Sequence, residues 1–356
     1  MKLGIIGLPQ SGKTTLFNAV TRGDAPTGIS AGRVQVNTAV VDVPDPRVDK
    51  LSAMFNPKKT IYAKITYADI AGLDGSAGKS GISGILLNQL TQMDGFIHVV
   101  RCFEDDNVPH VSGNVNAARD LETMDTEFIL NDLIVVERKL ERLADERRKG
   151  AGRDKATIDR EIGLFEKMQN ALNQEIPLRD MDLSSDEASS LSGFGFLSFK
   201  PVLVVFNIAE GQVAPEINYP HRHSLLVDLQ GKLEMEMAQL SPEDAELFMA
   251  EYNITELSLN RMIKLSYDLL GQLSFFTVGP DECRAWTVRS GAFAPEAAGV
   301  IHSDLQKGFI RAEVVAYDDL ISAGSMNEVK AKGKLRLEGK EYPVKDGDIL
   351  NIRFNI

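Results

Sequence analysis

The chain has 356 residues, with 39 Lys and Arg set against 51 Asp and Glu, for a net charge of -12 at pH 7. That length suffices for two or three domains with their own cores, and the acidic balance excludes a general nucleic-acid coat outside any local basic patch. Cys102 and Cys283 are too few for a disulfide framework and read as reduced thiols of a cytosolic protein. No apolar stretch approaches the roughly eighteen residues of a membrane span, so a soluble cytoplasmic protein without a membrane partner is expected.

Residues 3–6 predict a buried strand. Directly after it comes Gly7-Leu8-Pro9-Gln10-Ser11-Gly12-Lys13-Thr14, a complete G-x-x-x-x-G-K-[ST] phosphate loop, and then a helix from residue 14 to about 21. Glycines let backbone N–H groups turn inward as an anion nest, and the helix N-terminus adds partial positive charge. The predicted cradle is Pro9, Gln10, Ser11, Gly12, Lys13, Thr14 and Thr15. Lys13 would reach the β- and γ-phosphates, and the Thr14 hydroxyl would ligate Mg²⁺.

Further strands are predicted at 34–43, ending at the breaker Pro44-Asp45-Pro46, and at 61–69. A glycine-rich loop and a helix at about 82–92 follow, then strands at 96–100, 202–206 and 224–227. Strands alternating with helices imply a doubly wound parallel α/β sheet with its ligand at the carboxyl ends of the strands. Between the fourth and fifth strands, residues 126–173 have helical period. Leu133, Val136, Leu140 and Leu143 form a coiled-coil seam, and Ile158, Ile162, Phe165 and Leu172 resume it after Gly150-Ala151-Gly152. An antiparallel hairpin is expected, with a basic tip from Arg147 to Lys155 that is either a solvated helix end or a contact for RNA phosphate. Amphipathic helices are expected at 242–251 and 255–273. Strands at 284–288, 310–315, 334–337 and 350–354, with a short helix after Pro295, then imply a small α+β domain.

Asp69-Ile70-Ala71-Gly72, a D-x-x-G at the end of the third strand, would hold Mg²⁺ through water at Asp69 and sense the γ-phosphate at the Gly72 N–H. Gly75, Gly78, Gly81 and Gly84 beyond it suit a switch loop. Leu73 stands where many GTPases carry the glutamine that orients water, so the catalytic group must come from elsewhere. Base recognition is expected at Asn207-Ile208-Ala209-Glu210. GTPases carry N-K-x-D there; Glu210 displaces the carboxylate by one methylene and Ile208 replaces the lysine over the base. Strict guanine specificity should therefore be lost, leaving ATP as the expected substrate and GTP as the alternative.

Together these residues resemble the YchF family of Obg-like ATPases. The likeness extends through Pro44-Asp45-Pro46-Arg47, His98-Val99-Val100-Arg101-Cys102-Phe103-Glu104-Asp105 and the N-x-x-E motif. It continues into Phe275-Phe276-Thr277-Val278-Gly279, Arg284-Ala285-Trp286-Thr287, Ala298-Gly299-Val300-Ile301-His302, Glu338-Gly339-Lys340 and Asp346-Gly347-Asp348. The resemblance implies a P-loop NTPase domain at 1–125 and 200–272, an inserted coiled-coil hairpin at 126–199 and a C-terminal TGS domain of β-grasp type at 273–356. It also implies ATP hydrolysis in preference to GTP and association with the ribosome or a ribosomal subunit. His110 falls where the family has a catalytic histidine in place of the missing glutamine, and the family's redox regulation suggests Cys102, whose strand-end position also fits inert packing.

This chain departs from the family in two places. Gln10 stands where the family usually has an Asn linked to potassium-assisted catalysis, and being one methylene longer it leaves K⁺ dependence open. Arg33 stands where a first-switch Thr would complete the metal shell; Thr27, Thr38 or water would have to replace it, or Arg33 contacts phosphate. A nucleotide-binding ribosome adaptor with little hydrolysis is therefore the reading outside enzymology.

Overall fold

The computed structural model describes residues 1–356 apart from 24–35, 72, 74–81, 83, 151, 252–256 and 356. The first elements in chain order are β1 (Lys2–Ile6), α1 (Lys13–Thr21), β2 (Val36–Asp42), α2 (Pro46–Phe55), β3 (Lys59–Ile61), β4 (Lys64–Ile70), α3 (Gly84–Thr91) and β5 (Gly95–Arg101). Then come α4 (Ala117–Lys149), α5 (Lys155–Asn173), α6 (Ser185–Leu191), β6 (Val202–Asn207), β7 (Ser224–Leu229), α7 (Gly231–Ala238), α8 (Pro242–Glu251) and α9 (Ser258–Leu269). The last are β8 (Gln272–Val278), β9 (Glu282–Arg289), α10 (Ala294–Ile301), α11 (Ser303–Lys307), β10 (Phe309–Ala316), α12 (Tyr317–Ala323), α13 (Met326–Ala331), β11 (Arg336–Glu338) and β12 (Asp348–Phe354). The chain divides into two compact units, Met1–Ala39 with Thr66–Leu259 and Val40–Ile65 with Asn260–Ile356.

The sheet of the first unit runs β2-β4-β1-β5-β6-β7, and β1 pairs in parallel with both β4 and β5. The β5–β6 and β6–β7 ladders are parallel as well. Helices cover parallel sheets on both faces, so such strands read as unbroken apolar runs; every residue of β5 and β6 is buried. The hairpin begins inside this unit. Asn116 caps α4 by accepting the Arg119 N–H at 3.0 Å, and Phe128 packs its ring 5.0 Å from that of Phe96 on β5. Val136, Leu143, Ile158, Phe165, Met168 and Leu172 are buried between α4 and α5, and Gly150 ends α4 at φ +68°. Asp132, fully buried on α4, accepts from Leu197 N–H (2.9 Å), Ser198 N–H (2.7 Å) and the Ser198 hydroxyl (2.7 Å), which fixes the approach to β6. Burial nonetheless pushes its carboxyl up to about 6.

The sheet of the second unit runs β11-β10-β12-β8-β9-β3. β8–β9 and β10–β12 are antiparallel, while β12 and β8 are parallel at the centre. The order β9-β8-β12-β10 is that of a β-grasp, with Ala294, Ala297 and Ala298 of α10 in the core below it.

Several elements differ from the sequence expectation. The single strand expected at 61–69 is two strands: β4 joins the first sheet, and β3 pairs in parallel with β9 as the edge of the second. A period of two shows which face a side chain takes, not which sheet its backbone joins. The breaker Pro44-Asp45-Pro46 also opens α2, because Asp45 Oδ1 accepts the Arg47 N–H at 3.0 Å and Pro46 occupies the first turn. Helix α4 starts at Ala117 rather than about 126; its first turns bury Asp120, Leu121 and Met124 and leave Ala118 and Glu122 exposed. Helix α9 stops at Leu269, and Leu273 belongs to β8. The break is at Gly271, φ +61°. Among the described residues no helix is long and apolar enough to cross a membrane.

Candidate functional site

The loop between β1 and α1 takes the shape its glycines allow. Gly7 has φ +145° and Gly12 φ +97°; a Cβ on Gly7 would lie 2.3 Å from the Val99 carbonyl, and one on Gly12 would lie 2.1 Å from Asn207 Nδ2. Gln10 between them also holds φ +62°, a region that residues with a Cβ enter at some cost. Gly12 is the N-cap of α1 and no side chain caps the helix there. The first-turn amides are therefore left for an external acceptor, which is the arrangement that binds phosphate.

Around that nest the charged groups converge. Thr14 Oγ1 donates to Asp69 Oδ2 at 2.9 Å, tying the start of α1 to the end of β4, and Lys13 Nζ donates to the Leu8 carbonyl at 2.8 Å across the loop. Burial pushes the Lys13 ammonium down to about 8, with the Asp69 charge opposing the shift. Burial likewise raises the Asp69 carboxyl, against the Thr14 hydrogen bond and the Lys13 charge. Among the described residues, Ser11 Oγ and Asp69 Oδ1 are buried and have no hydrogen-bond partner. A buried carboxylate oxygen without a donor, beside a threonine hydroxyl, fits a hard divalent cation.

Asn207 is drawn into this centre in a supporting role. Its Nδ2 donates to Ser11 O at 3.0 Å and its Oδ1 accepts the Gly231 N–H at 3.1 Å, so one amide braces the phosphate loop against the start of α7. Gly231 is a partner the sequence reading did not contain; no local pattern marks it, since only the fold brings it to Asn207. Ile208 is buried in the apolar cluster with Cys102 and Phe206, whereas Glu210 is exposed. Pro9 and Thr15 flank the cradle on either side, both partly buried.

His110 stands apart from these contacts. It is buried, its Nδ1 accepts the Ser112 N–H at 3.1 Å, and its Nε2 lies 2.8 Å from Asp120 Oδ2 on α4. Leu73 packs into the core, where a side chain without polar atoms belongs. Cys102 is buried and its thiol is pushed up to about 12 by burial and then by the Asp120 charge, so the reactive thiolate is disfavoured. Thr27, Gly32, Arg33, Gly72, Gly75, Gly78 and Gly81 lie outside the described residues. At the hairpin tip, Arg147 pairs with Asp159 (2.8 Å), Arg148 and Lys149 with Asp145 (2.8 and 3.5 Å), and Arg153 with Glu146 (3.0 Å) and Glu161. Much of the expected positive charge is thus matched locally.

Two family models match the chain. One, described as a 50S ribosome-binding GTPase, matches residues 2–139; the other, YchF-GTPase_C, described as a protein of unknown function, matches residues 273–355. The ribosome-binding ATPase YchF of Bacillus subtilis is 39% identical over 365 residues, covering 99% of each chain. Its counterpart in Haemophilus ducreyi is 40% identical over 371 residues, covering 100% of this chain and 99% of that one. Among solved structures, the YchF GTPase of Schizosaccharomyces pombe superposes with a TM-score of 0.84 at 32% identity, over 99% of this chain and 97% of that one.

Proposed function

This chain belongs to the YchF family, and from that premise we propose that it is a ribosome-binding ATPase, cleaving the β–γ bond of ATP in preference to GTP. The observation that carries the reading is the incomplete centre at α1: uncapped helix amides, a desolvated Lys13, the Thr14–Asp69 bond, and the orphaned Ser11 Oγ and Asp69 Oδ1. A magnesium–nucleotide complex supplies what each of these lacks. Lys13 and the amides of Gly12 and Thr14 would hold the phosphate oxygens, and Thr14 and Asp69 are the residues that would hold the cation, Asp69 through water. Magnesium, when bound, neutralises charge on the phosphoryl oxygens; the loop's share is to position and to stabilise charge in a site from which water is displaced.

In this reading Gly72 donates to the γ-phosphate, the Asn207-Ile208-Ala209-Glu210 loop lies at the base, and His110 orients the attacking water. In this structure His110 Nδ1 accepts the Ser112 N–H and Nε2 lies against Asp120 Oδ2, so the ring must move from Asp120 before it can act, and turnover in isolation is slow. The hairpin and the C-terminal unit are the parts that meet the ribosome, in the cytoplasm. The test is γ-phosphate release from purified protein with and without ribosomes, against Lys13→Ala; equal release from the two proteins overturns the enzyme. Displacement of labelled ATP by ATP and GTP orders the substrates, and tighter displacement by GTP reverses the preference.

A further inference from the structure

The loop after β6 contains a hydrogen-bonded staple that the phosphate chemistry does not need. Ala209, Glu210, Gly211 and Gln212 form a turn closed by the Gln212 N–H donating to Ala209 O at 3.1 Å, with Gly211 at φ +69° in the position that favours glycine. The Gln212 side chain closes the same turn again. Its Oε1 accepts the Ala209 N–H at 2.9 Å, and its Nε2 donates to the Cys102 carbonyl beyond the end of β5 at 2.7 Å. On the other side of the turn, the Cys102 N–H donates to Asn207 O at 2.9 Å. The chain is thus anchored to Cys102 both before and after Glu210, whose side chain stands exposed.

We propose that Gln212 is a specificity-setting positioning residue, which holds the Glu210 carboxylate away from the purine edge and so disfavours guanine. The inference rests on the reading that Asn207-Ile208-Ala209-Glu210 faces the base. A carboxylate can accept from guanine N1–H and its 2-amino group, whereas adenine presents an acceptor at N1; only a carboxylate free to come into line gains the first pair. Glutamate is long enough to adapt if its backbone can shift. The staple removes that freedom with two side-chain bonds from a residue that need not touch the nucleotide.

The experiment uses the full chain and fluorescence displacement of a labelled nucleotide, with dissociation constants for ATP, GTP and inorganic tripolyphosphate, all with magnesium. Gln212→Met keeps the length and removes both side-chain bonds. Gln212→Glu keeps the acceptor for Ala209 and sets a carboxylate against the Cys102 carbonyl. Both variants are expected to shift the ATP-to-GTP affinity ratio about fivefold toward GTP, the scale of one hydrogen bond, with tripolyphosphate binding unchanged within about twofold. A ratio that stays put or moves toward ATP overturns the proposal, and so does equal weakening of all three ligands, which would mean general damage to the loop. Glu210→Asp separates the two layers of the argument. If it moves the ratio and the Gln212 variants do not, only the positioning role fails; if none of them moves it, the base-facing reading fails as well.

Discussion

The phosphate loop and the Arg47 corner of the C-terminal unit both draw charged groups out of water, but only one is finished. At the corner, Arg47 donates to Asp45 through Nε and Nη2 and to Asp346 through Nη1 at 2.6 Å, its guanidinium 5.1 Å over the Phe276 ring. Asp346 also accepts the Ser274 N–H at 2.9 Å. These bonds hold the Arg47 guanidinium well above its ordinary range, outweighing the desolvation that pulls it down. At the loop, burial has instead pushed Lys13 toward neutrality and left two oxygens unpaired. A completed network of partly buried charge specifies a fold; an incomplete one is a standing cost that a ligand removes.

The sharpest way to break this contrast is Gly12→Ala. The new Cβ would meet Asn207 Nδ2 at 2.1 Å in a backbone conformation that alanine disfavours, so the loop must move and Asn207 must release it. ATP affinity should fall by at least about a hundredfold in calorimetry with magnesium, about 3 kcal/mol, while far-ultraviolet dichroism stays native. Arg47→Ala should do the reverse. It removes a partner from two carboxylates, one of them half-exposed, and should cost about 2 kcal/mol in chemical denaturation after discounting for solvent at Asp346. ATP affinity should hold within about twofold; a tenfold loss there would erase the distinction between a fold-making and a ligand-awaiting network.

Legibility follows the same division. The loop is contiguous, so Gly7 to Thr14 announce its geometry, its chemistry and the strand and helix around it. The Arg47 corner joins Pro44-Asp45-Pro46-Arg47 to Asp346-Gly347-Asp348, two motifs visible in the sequence, but nothing local says that they meet. For the same reason the stretch at 61–69 reads as one strand, although β3 and β4 belong to different sheets. The Asn207 motif reads as a base contact, and nothing local shows that its amide also braces the loop and the start of α7. Gln212 carries no signal at all, because a side chain that bonds to distant backbone leaves no periodicity. What sequence shows well is chemistry built from neighbours and burial with a period; what it hides is who supports whom across strands.

A smaller effect tests the unfinished side directly. Lys13 has a folded pKa of about 8 against 10.5 ordinarily, so below pH 8 it is charged in both folded and unfolded states and the burial penalty is fully present. Between 8 and 10.5 the folded state sheds its proton first, and stability rises with pH. Lys13→Met escapes the penalty. At pH 7 the variant should be more stable than the parent by about 1–2 kcal/mol after loss of the bond to Leu8 O, and the gap should narrow by pH 9.5 in chemical denaturation. A gap that is absent at pH 7 would mean that the ammonium is already well compensated without nucleotide.

The smallest effect concerns Gln10. Its φ of +62° places a long side chain where glycine is free and asparagine is tolerated better than glutamine. Gln10→Gly should relieve about 0.5–1 kcal/mol of strain, offset in part by the greater freedom of the unfolded chain, and thermal melting of the nucleotide-free protein should resolve the difference. Gln10→Asn keeps a side-chain amide at the loop while shortening its reach by a methylene. If glutamine's length is what separates this loop from potassium-assisted catalysis, Gln10→Asn should acquire a stimulation of phosphate release by K⁺ over Na⁺ that the parent lacks, and Gln10→Gly should not. Equal stimulation of all three proteins would place the monovalent site elsewhere, and the strain at residue 10 would then concern loop geometry alone.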